Sequence, residues 1–425
     1  MIGLQNKTRY ISYRDTDAPQ VQNSYGTLTN LLRTVLTIGF NFNTIESFTL
    51  VDDFHVNILL KSGHGFQEES VVKITGTDDE LFDNCFRVLA VEGNTITIGF
   101  SESVVSVPEI TETTSICTAP LGYDIVFENE AKTTVCFENK SVTSKGILKV
   151  IDELPPNGYS TSWVKFARVV VGKEIDSVGN FINDVKAPFN PNYPDSENTG
   201  NKVTGSTGIH GFAKWYYAFH EDSYSDEDRA PTGTFPRKWV LIGDDKTFYL
   251  LLHNNNNDNC NCGFGSYYNQ NNNGGLVLQA SDGEVAANLN EHSRYGKKGS
   301  YWGTLLSQTS GSFVLPNDFF NQNTSRYYGA GLFLGSNNKA KPWQATDIQN
   351  YNPFTGLMTT SKLYIRGIDG FLYGYHRGLD IFYGSDHPKE GRLLGTTYRI
   401  INMTDPLRSG SDMPLMFNMQ DWEDV

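Results

Sequence analysis

The chain is short of charge, and of positive charge above all. Aspartate, glutamate, lysine and arginine make up 19% of its 425 residues, below the roughly 25% of ordinary soluble domains. Acidic residues outnumber lysine and arginine by 48 to 34, a formal charge of −14. A surface of that sign repels phosphates, which excludes nucleic acid as a direct partner. Cysteine is scarce too. Cys85, Cys117, Cys136, Cys260 and Cys262 are odd in number and irregularly spaced, which argues against a disulfide framework and for synthesis in a reducing cytoplasm. No apolar run approaches the 18 residues of a membrane span, and Met1–Lys7 has no apolar run of signal-peptide length. Asparagine, glycine, threonine, serine and tyrosine are plentiful, and aromatics reach 13%. That mixture excludes a disordered chain and suits β-strands joined by long loops. The length implies two or three domains with sizeable cores.

One short helix stands out near the start. Leu28, Leu31, Leu32, Val35 and Leu36 recur at i, i+3, i+4, i+7 and i+8, the spacing of a single apolar face. Thr27 is placed to cap its N-terminus, and Gly39 falls where a helix ends. Everything else reads as strand or loop. Val71–Gly76, Phe86–Val91 and Thr95–Phe100 are strands of a compact β unit, with a tight turn at Glu92-Gly93-Asn94. Leu121–Phe127 and Thr133–Phe137 form a hairpin; Gly146–Glu153 and Trp163–Val171 are further strands, and Arg168–Val171 reads as buried on both faces. Residues 172–233 read as one long irregular region, aromatic at Ile209–His220 and acidic at Glu221–Asp228. Pro236–Leu252 is a hairpin across a Gly-Asp-Asp turn, with Trp239, Phe248 and Tyr249 as core anchors. Thr396–Asn402 supplies a last strand.

No arrangement of side chains carries a recognisable chemistry. Cys260-Asn261-Cys262, with His253 upstream, lacks the second pair that structural zinc needs, so a surface loop is the better reading. His220–Asp228 has neither the glycine nor the terminal glutamate of a calcium loop and reads as a solvated acidic segment. Asp244 and Asp245 are explained by turn geometry. His376-Arg377 and Asp386-His387 are neighbours that a strand would point to opposite faces. Trp215-Tyr216-Tyr217 and Tyr267-Tyr268 could stack on sugars, but core and interface positions suit them better. No catalytic residue, cofactor site or metal site is assigned.

Several segments, in a fixed order, resemble a family of tailed-phage virion proteins. The first is Tyr13-Arg14-Asp15-Thr16-Asp17-Ala18-Pro19, followed by the Gly26–Gly39 helix. Next come His64-Gly65-Phe66 with Glu69–Gly76, similar to a small β-barrel module of phage structural proteins, and Ala119-Pro120-Leu121-Gly122-Tyr123. Trp239–Tyr249 is the most specific segment. Cys262-Gly263-Phe264-Gly265 follows it, with Ser266 where the family tends to have aspartate, and an inserted tract at Asn254–Asn257; both read as loop divergence. Leu363–Gly374 closes the series. The resemblance implies a structural protein of the tail or baseplate, made in the host cytoplasm and carried in the virion tail. It would act without chemistry of its own, assembling with other tail proteins and with copies of itself in a closed cyclic ring through loops and aromatic patches. Leu28, Leu32, Val35, Leu36, Trp215, Tyr216, Trp239, Phe248 and Tyr249 are the structural and interface candidates.

The expected fold is mainly β, with antiparallel sandwich- or barrel-like domains, one short N-terminal helix and a small β-barrel insertion. The expected divisions are a strand–helix segment at 1–50, the barrel at 51–110 and a large β domain at 111–425. Three other roles stay open: a receptor- or carbohydrate-binding tail-tip protein, a polysaccharide-degrading tailspike and a neck connector. The Asn-rich stretch 254–273 is expected to be a loop that orders only on assembly, since it has little apolar area to offset ordering entropy.

Overall fold

A computed structural model of the chain describes residues 8–155, 165–182, 186–187, 213–217, 237–253, 259–268, 274–282, 312–316, 326–330, 359–367, 372–383, 393–394, 398–404, 412–419 and 422. The fold is mainly β, built from antiparallel sheets, with one short helix near the N-terminus. Strand β1 (Arg9–Ser12) comes first, then helix α1 (Thr27–Arg33). Six strands close into a barrel in the order β2-β3-β6-β5-β4-β7: β2 (Phe40–Asp52), β3 (His55–Leu60), β4 (Val71–Thr75), β5 (Cys85–Glu92), β6 (Thr95–Gly99) and β7 (Ser115–Thr118). These strands run from Phe40 to Thr118, beyond both ends of the 51–110 span.

Two open sheets hold the rest. The smaller contains β8 (Asp124–Glu128), β9 (Thr134–Glu138), β10 (Ile147–Ile151), β11 (Phe166–Gly172), β12 (Lys186–Ala187), β13 (Ala213–Tyr216) and β18 (Ser281–Asp282). The larger begins at β1 and continues through β14 (Lys238–Gly243), β15 (Thr247–His253), β16 (Asn259–Tyr268) and β17 (Gly275–Gln279). It goes on through β19 (Ser312–Pro316), β20 (Arg326–Ala330), β21 (Thr359–Gly367), β22 (Leu372–Tyr383), β25 (Asp412–Asn418), β24 (Tyr398–Thr404) and β23 (Leu393–Leu394). Side chains of both sheets and of the helix share one core, in which Leu148, Val150, Phe166, Val169, Leu241, Leu250 and Leu278 lie. The barrel fills separately, with alternate residues such as Val56, Ile58, Val72, Ile74, Ile96 and Ile98 pointing inward, as period-2 patterning requires.

Three readings of the sequence are corrected here. The Asn-rich stretch is interrupted by β16, whose Leu250↔Cys262 and Phe248↔Phe264 pairings seat Cys262 and Phe264 in the core; Ser266 lies on this strand and not on a loop. The 172–233 region contains β12 and β13. Strand β25 follows the segment expected to be last.

Leu28, Leu31, Leu32, Val35 and Leu36 are all fully buried against the shared core, each contributing about 1.5–3 kcal/mol. After Arg33 the helix widens into a π turn over Thr34–Ile38, which Gly39 ends with its N–H on the Thr34 carbonyl at 2.8 Å. Gly39 has φ +89°, and a Cβ there would lie 2.8 Å from the Thr118 carbonyl oxygen, so only glycine fits where the chain enters the barrel. The chain returning from the barrel completes this helix end: Leu121 N–H reaches the Val35 carbonyl at 2.9 Å, and Gly122 and Tyr123 reach that of Leu36 at 2.8 and 3.0 Å.

The N-terminal cap differs from expectation. Thr27 is the first helical residue, and its hydroxyl donates back to the Ser24 carbonyl at 2.8 Å; Gly26, at φ 85°, takes the cap position. The acceptor comes from β10's far end: Asp152 Oδ2 receives Leu28 N–H at 3.0 Å and Thr29 N–H at 3.3 Å.

Four cysteines are described, all as free thiols, and only Cys85 is partly exposed. Burial pushes the thiols of Cys117 and Cys136 up to about 11 and about 12, where they hold their protons and do not react. Iodoacetamide applied to the folded chain is therefore expected to modify Cys85 well ahead of Cys117 and Cys136 on peptide mapping; equal rates would contradict these placements.

Candidate functional site

The opening segment folds as consecutive turns. Ser12 N–H donates to Asp15 Oδ2 at 2.8 Å, Asp15 N–H to the Ser12 carbonyl at 3.1 Å, and Ala18 N–H to the Asp15 carbonyl at 3.0 Å. Asp15 is thus a turn-forming residue. The turns are fastened to β14, because Tyr13 N–H donates to the Trp239 carbonyl at 3.0 Å and Trp239 Nε1 donates to the Pro19 carbonyl at 2.9 Å. Two segments more than 200 positions apart meet in this pair of bonds.

Between these turns and the barrel lies a cleft of about 300 Å³, lined among others by Arg9, Arg14, Asn41, Phe66, Glu69 and Arg87. Its walls are tied together. Arg9 approaches Cys85 Sγ at 3.5 Å, and Arg87 donates to the Glu69 carbonyl at 3.0 Å and to the carbonyls of Thr8 and Met419 at 3.3 Å each. Asn41 and Glu69 on its walls adopt left-handed backbone (φ 55° and 69°), a conformation that non-glycine residues rarely hold without support from their surroundings. Gly65 approaches the turns so closely that a Cβ would lie 1.9 Å from Thr16 Oγ1. The cleft is a joint that fixes the barrel to the N-terminal strand.

A second junction is buried at the Gly-Asp-Asp turn. Asp244 Oδ1 accepts from Lys246 N–H and Thr247 N–H, both at 2.9 Å, which closes the turn as its sequence suggested. Its other oxygen pairs with Arg377 at 3.1 Å, and the two side chains are 3% and 2% exposed. Arg377 also donates to the Trp422 carbonyl at 2.8 Å and to Thr247 Oγ1 and Ser266 Oγ at 3.3 and 3.4 Å, and it lies over the rings of Tyr268 and Trp422. Tyr249 closes the group from β15, its hydroxyl donating to the Arg377 carbonyl at 2.8 Å. From the other sheet, Asn139 Nδ2 reaches the Lys246 carbonyl at 3.1 Å and Lys140 N–H the Asp245 carbonyl at 2.8 Å. The turn therefore locks β9, β14, β15, β16 and β22 together. Asp245 has its carboxyl pushed up, first by burial and then by the neighbouring Asp244 charge.

His376, beside Arg377, faces the other way, as strand geometry requires. Its Nδ1 lies 3.2 Å from Gln279 Nε2, and burial depresses its pKa to about 3, so the ring is neutral at ordinary pH. Asp386 and His387 lie outside the described residues, as do the acidic run at 220–228 and Asn254–Asn257.

Four of the five aromatic candidates are core residues. Trp215, Trp239, Phe248 and Tyr249 are at most 1% exposed. Trp215 donates from Nε1 to the Gln279 carbonyl at 2.6 Å and packs edge-on to Phe248, so it is placed to join the sheets and not to meet a partner or a sugar. Tyr216 pairs through its backbone with Phe166 on β11. Period 2 was the available signal, since Ala213 and Trp215 on β13 and Tyr217 just past its end are alternate residues and all three are buried. Trp215→Ala is expected to cost about 3–5 kcal/mol, read as a fall in thermal midpoint; an unchanged midpoint would contradict this burial.

Asp244 is saturated by donors and Arg377 is held by a carboxylate, so neither is free to transfer a proton or attack a bound molecule. Among the described residues no group of three or more His, Cys, Asp and Glu side chains could hold a metal ion, and no helix is long and apolar enough to cross a membrane. No protein-family model matches the chain, and neither does any curated protein.

Proposed function

We infer that the protein is a non-enzymatic structural component of a tailed-phage virion, of the tail or baseplate class. The observation that carries this reading is where the family-like segments meet. Pro19 of the opening segment is bonded to Trp239 of the hairpin, and Leu121–Tyr123 complete the helix that the opening segment begins. Asp244 pairs with Arg377, just beyond Leu363–Gly374. Segments that resemble one family in order are thus the segments that hold this fold together. A scaffold locked at its joints suits a part that transmits force and position between neighbours. In this reading copies assemble in a closed ring with other tail proteins, through surfaces other than the buried aromatics.

Quantitative mass spectrometry of gradient-purified particles tests the reading. The chain is expected at a fixed number of copies per particle, a multiple of three or six. Absence from purified particles would overturn it. The carbohydrate-binding alternative relied on Trp215 as an exposed platform, and its burial removes that support.

A further inference from the structure

The barrel carries an apolar surface that none of the described residues covers. Val51 and Phe54 at the β2–β3 turn are 54% and 46% exposed, and Val105 in the β6–β7 connection is 88% exposed. Antiparallel pairing all round the barrel sends its β2–β3, β4–β5 and β6–β7 connections to the same end. The Phe40 and Thr118 ends, where the barrel joins the rest of the chain, lie at the other. Hydrogen bonds weld these connections into one rim: Val104 N–H to the Asp53 carbonyl at 2.7 Å, Phe100 N–H to that of Phe54 at 2.8 Å, and Thr111 Oγ1 to that of Gly76 at 2.9 Å. The apolar side chains therefore stand on a fixed platform, and ordering it costs a partner little.

Charge says what that partner is. Residues 40–118 hold thirteen acidic and three basic residues, −10 of the chain's −14. Of the three cations, Arg87 is spent at the cleft, Lys73 stands in register between Cys85 and Cys117, and Lys61 follows the end of β3 that lies away from the rim. The rim segments 51–54, 76–84 and 100–114 contain nine carboxylates and no lysine or arginine. We propose that this rim is a docking surface for a protein partner whose contact face has an apolar centre bordered by lysine and arginine. Nucleic acid and anionic lipid carry the wrong sign, and a second copy would oppose carboxylate to carboxylate. The inference goes beyond the virion reading and stands on the barrel alone.

The test uses the full-length chain and a 14-residue amphipathic helical peptide of leucine and lysine bearing one photo-crosslinker, with a leucine–glutamate peptide as its counterpart. The leucine–lysine peptide is expected to crosslink within 51–54 or 100–114. Its affinity should fall at least fivefold between 50 and 300 mM salt, and about tenfold in Val51→Ser/Phe54→Ser. Val105→Ser, at the most exposed of the three positions, gives the same readout should the double variant fail to fold. Crosslinks elsewhere, an undiminished affinity in both variants, equal binding of the leucine–glutamate peptide, or self-association through these residues would each overturn the proposal.

Discussion

Arg377→Met is expected to destabilise the larger sheet by about 3–5 kcal/mol, the usual cost of leaving one member of a buried ion pair without its partner. Asp244 is 3% exposed on its side chain and would keep only the two backbone N–H groups of its own turn. Asp244→Asn retains an acceptor for those groups and removes the charge. The double variant Asp244→Asn/Arg377→Met is therefore expected to be more stable than Arg377→Met alone, a coupling that a double-mutant cycle isolates. Hydrogen exchange is the suitable measurement, because a chain of several units need not unfold in one step. Amides of β14, β15 and β22 should lose protection while those of the barrel, which has its own core, keep theirs. Additive effects, or equal loss in the barrel, would contradict the role given to this junction.

Asp152→Ala is the second large effect, expected at about 2–4 kcal/mol. It removes one carboxylate that serves two helix N–H groups and the Tyr217 hydroxyl, the latter at 2.5 Å, and leaves all three donors buried. The same residue gives a pH signature. Burial raises its pKa from 3.8 to about 6, with the bonds from Tyr217, Thr29 and Leu28 opposing the rise. The folded chain thus holds this proton more tightly than the unfolded chain does. This group's contribution to stability is largest below about pH 4, declines as pH climbs through about 6, and is level above that. Asp152→Asn keeps an acceptor and cannot titrate. Wild type is expected to lose stability relative to Asp152→Asn by roughly 3 kcal/mol between pH 4 and 7. Parallel pH profiles for the two would contradict the assignment.

Both residues show where sequence reading ends. Period-2 alternation in β3, β4 and β6, and the 3.6-period face from Leu28 to Leu36, are local patterns, and they place the strands and the helix correctly. Trp239, Phe248 and Tyr249 were legible as anchors because a short turn puts their strands side by side. Asp152 caps a helix 124 positions upstream, and Arg377 pairs 133 positions from Asp244; no local spacing announces either. Asp244 could be read as a turn former, which it is, but its second oxygen answers only to tertiary structure. The stretch Asn259–Tyr268 looked like loop because its asparagines and glycines are poor strand formers. Pairing with β15 and β17 and burial of Cys262 and Phe264 override that preference. Trp215 and Tyr217 lie in the core, one of the two positions that suit such residues: tyrosine and tryptophan fit interfaces and cores equally, and only the packing of β13 on the sheet decides.

Immunogold electron microscopy of intact particles, with antibody against the recombinant full-length chain, tests the central claim most directly. Label at the distal tail is the result predicted for a tail or baseplate component. Particles without label, from which the chain is also absent by mass spectrometry, would contradict it.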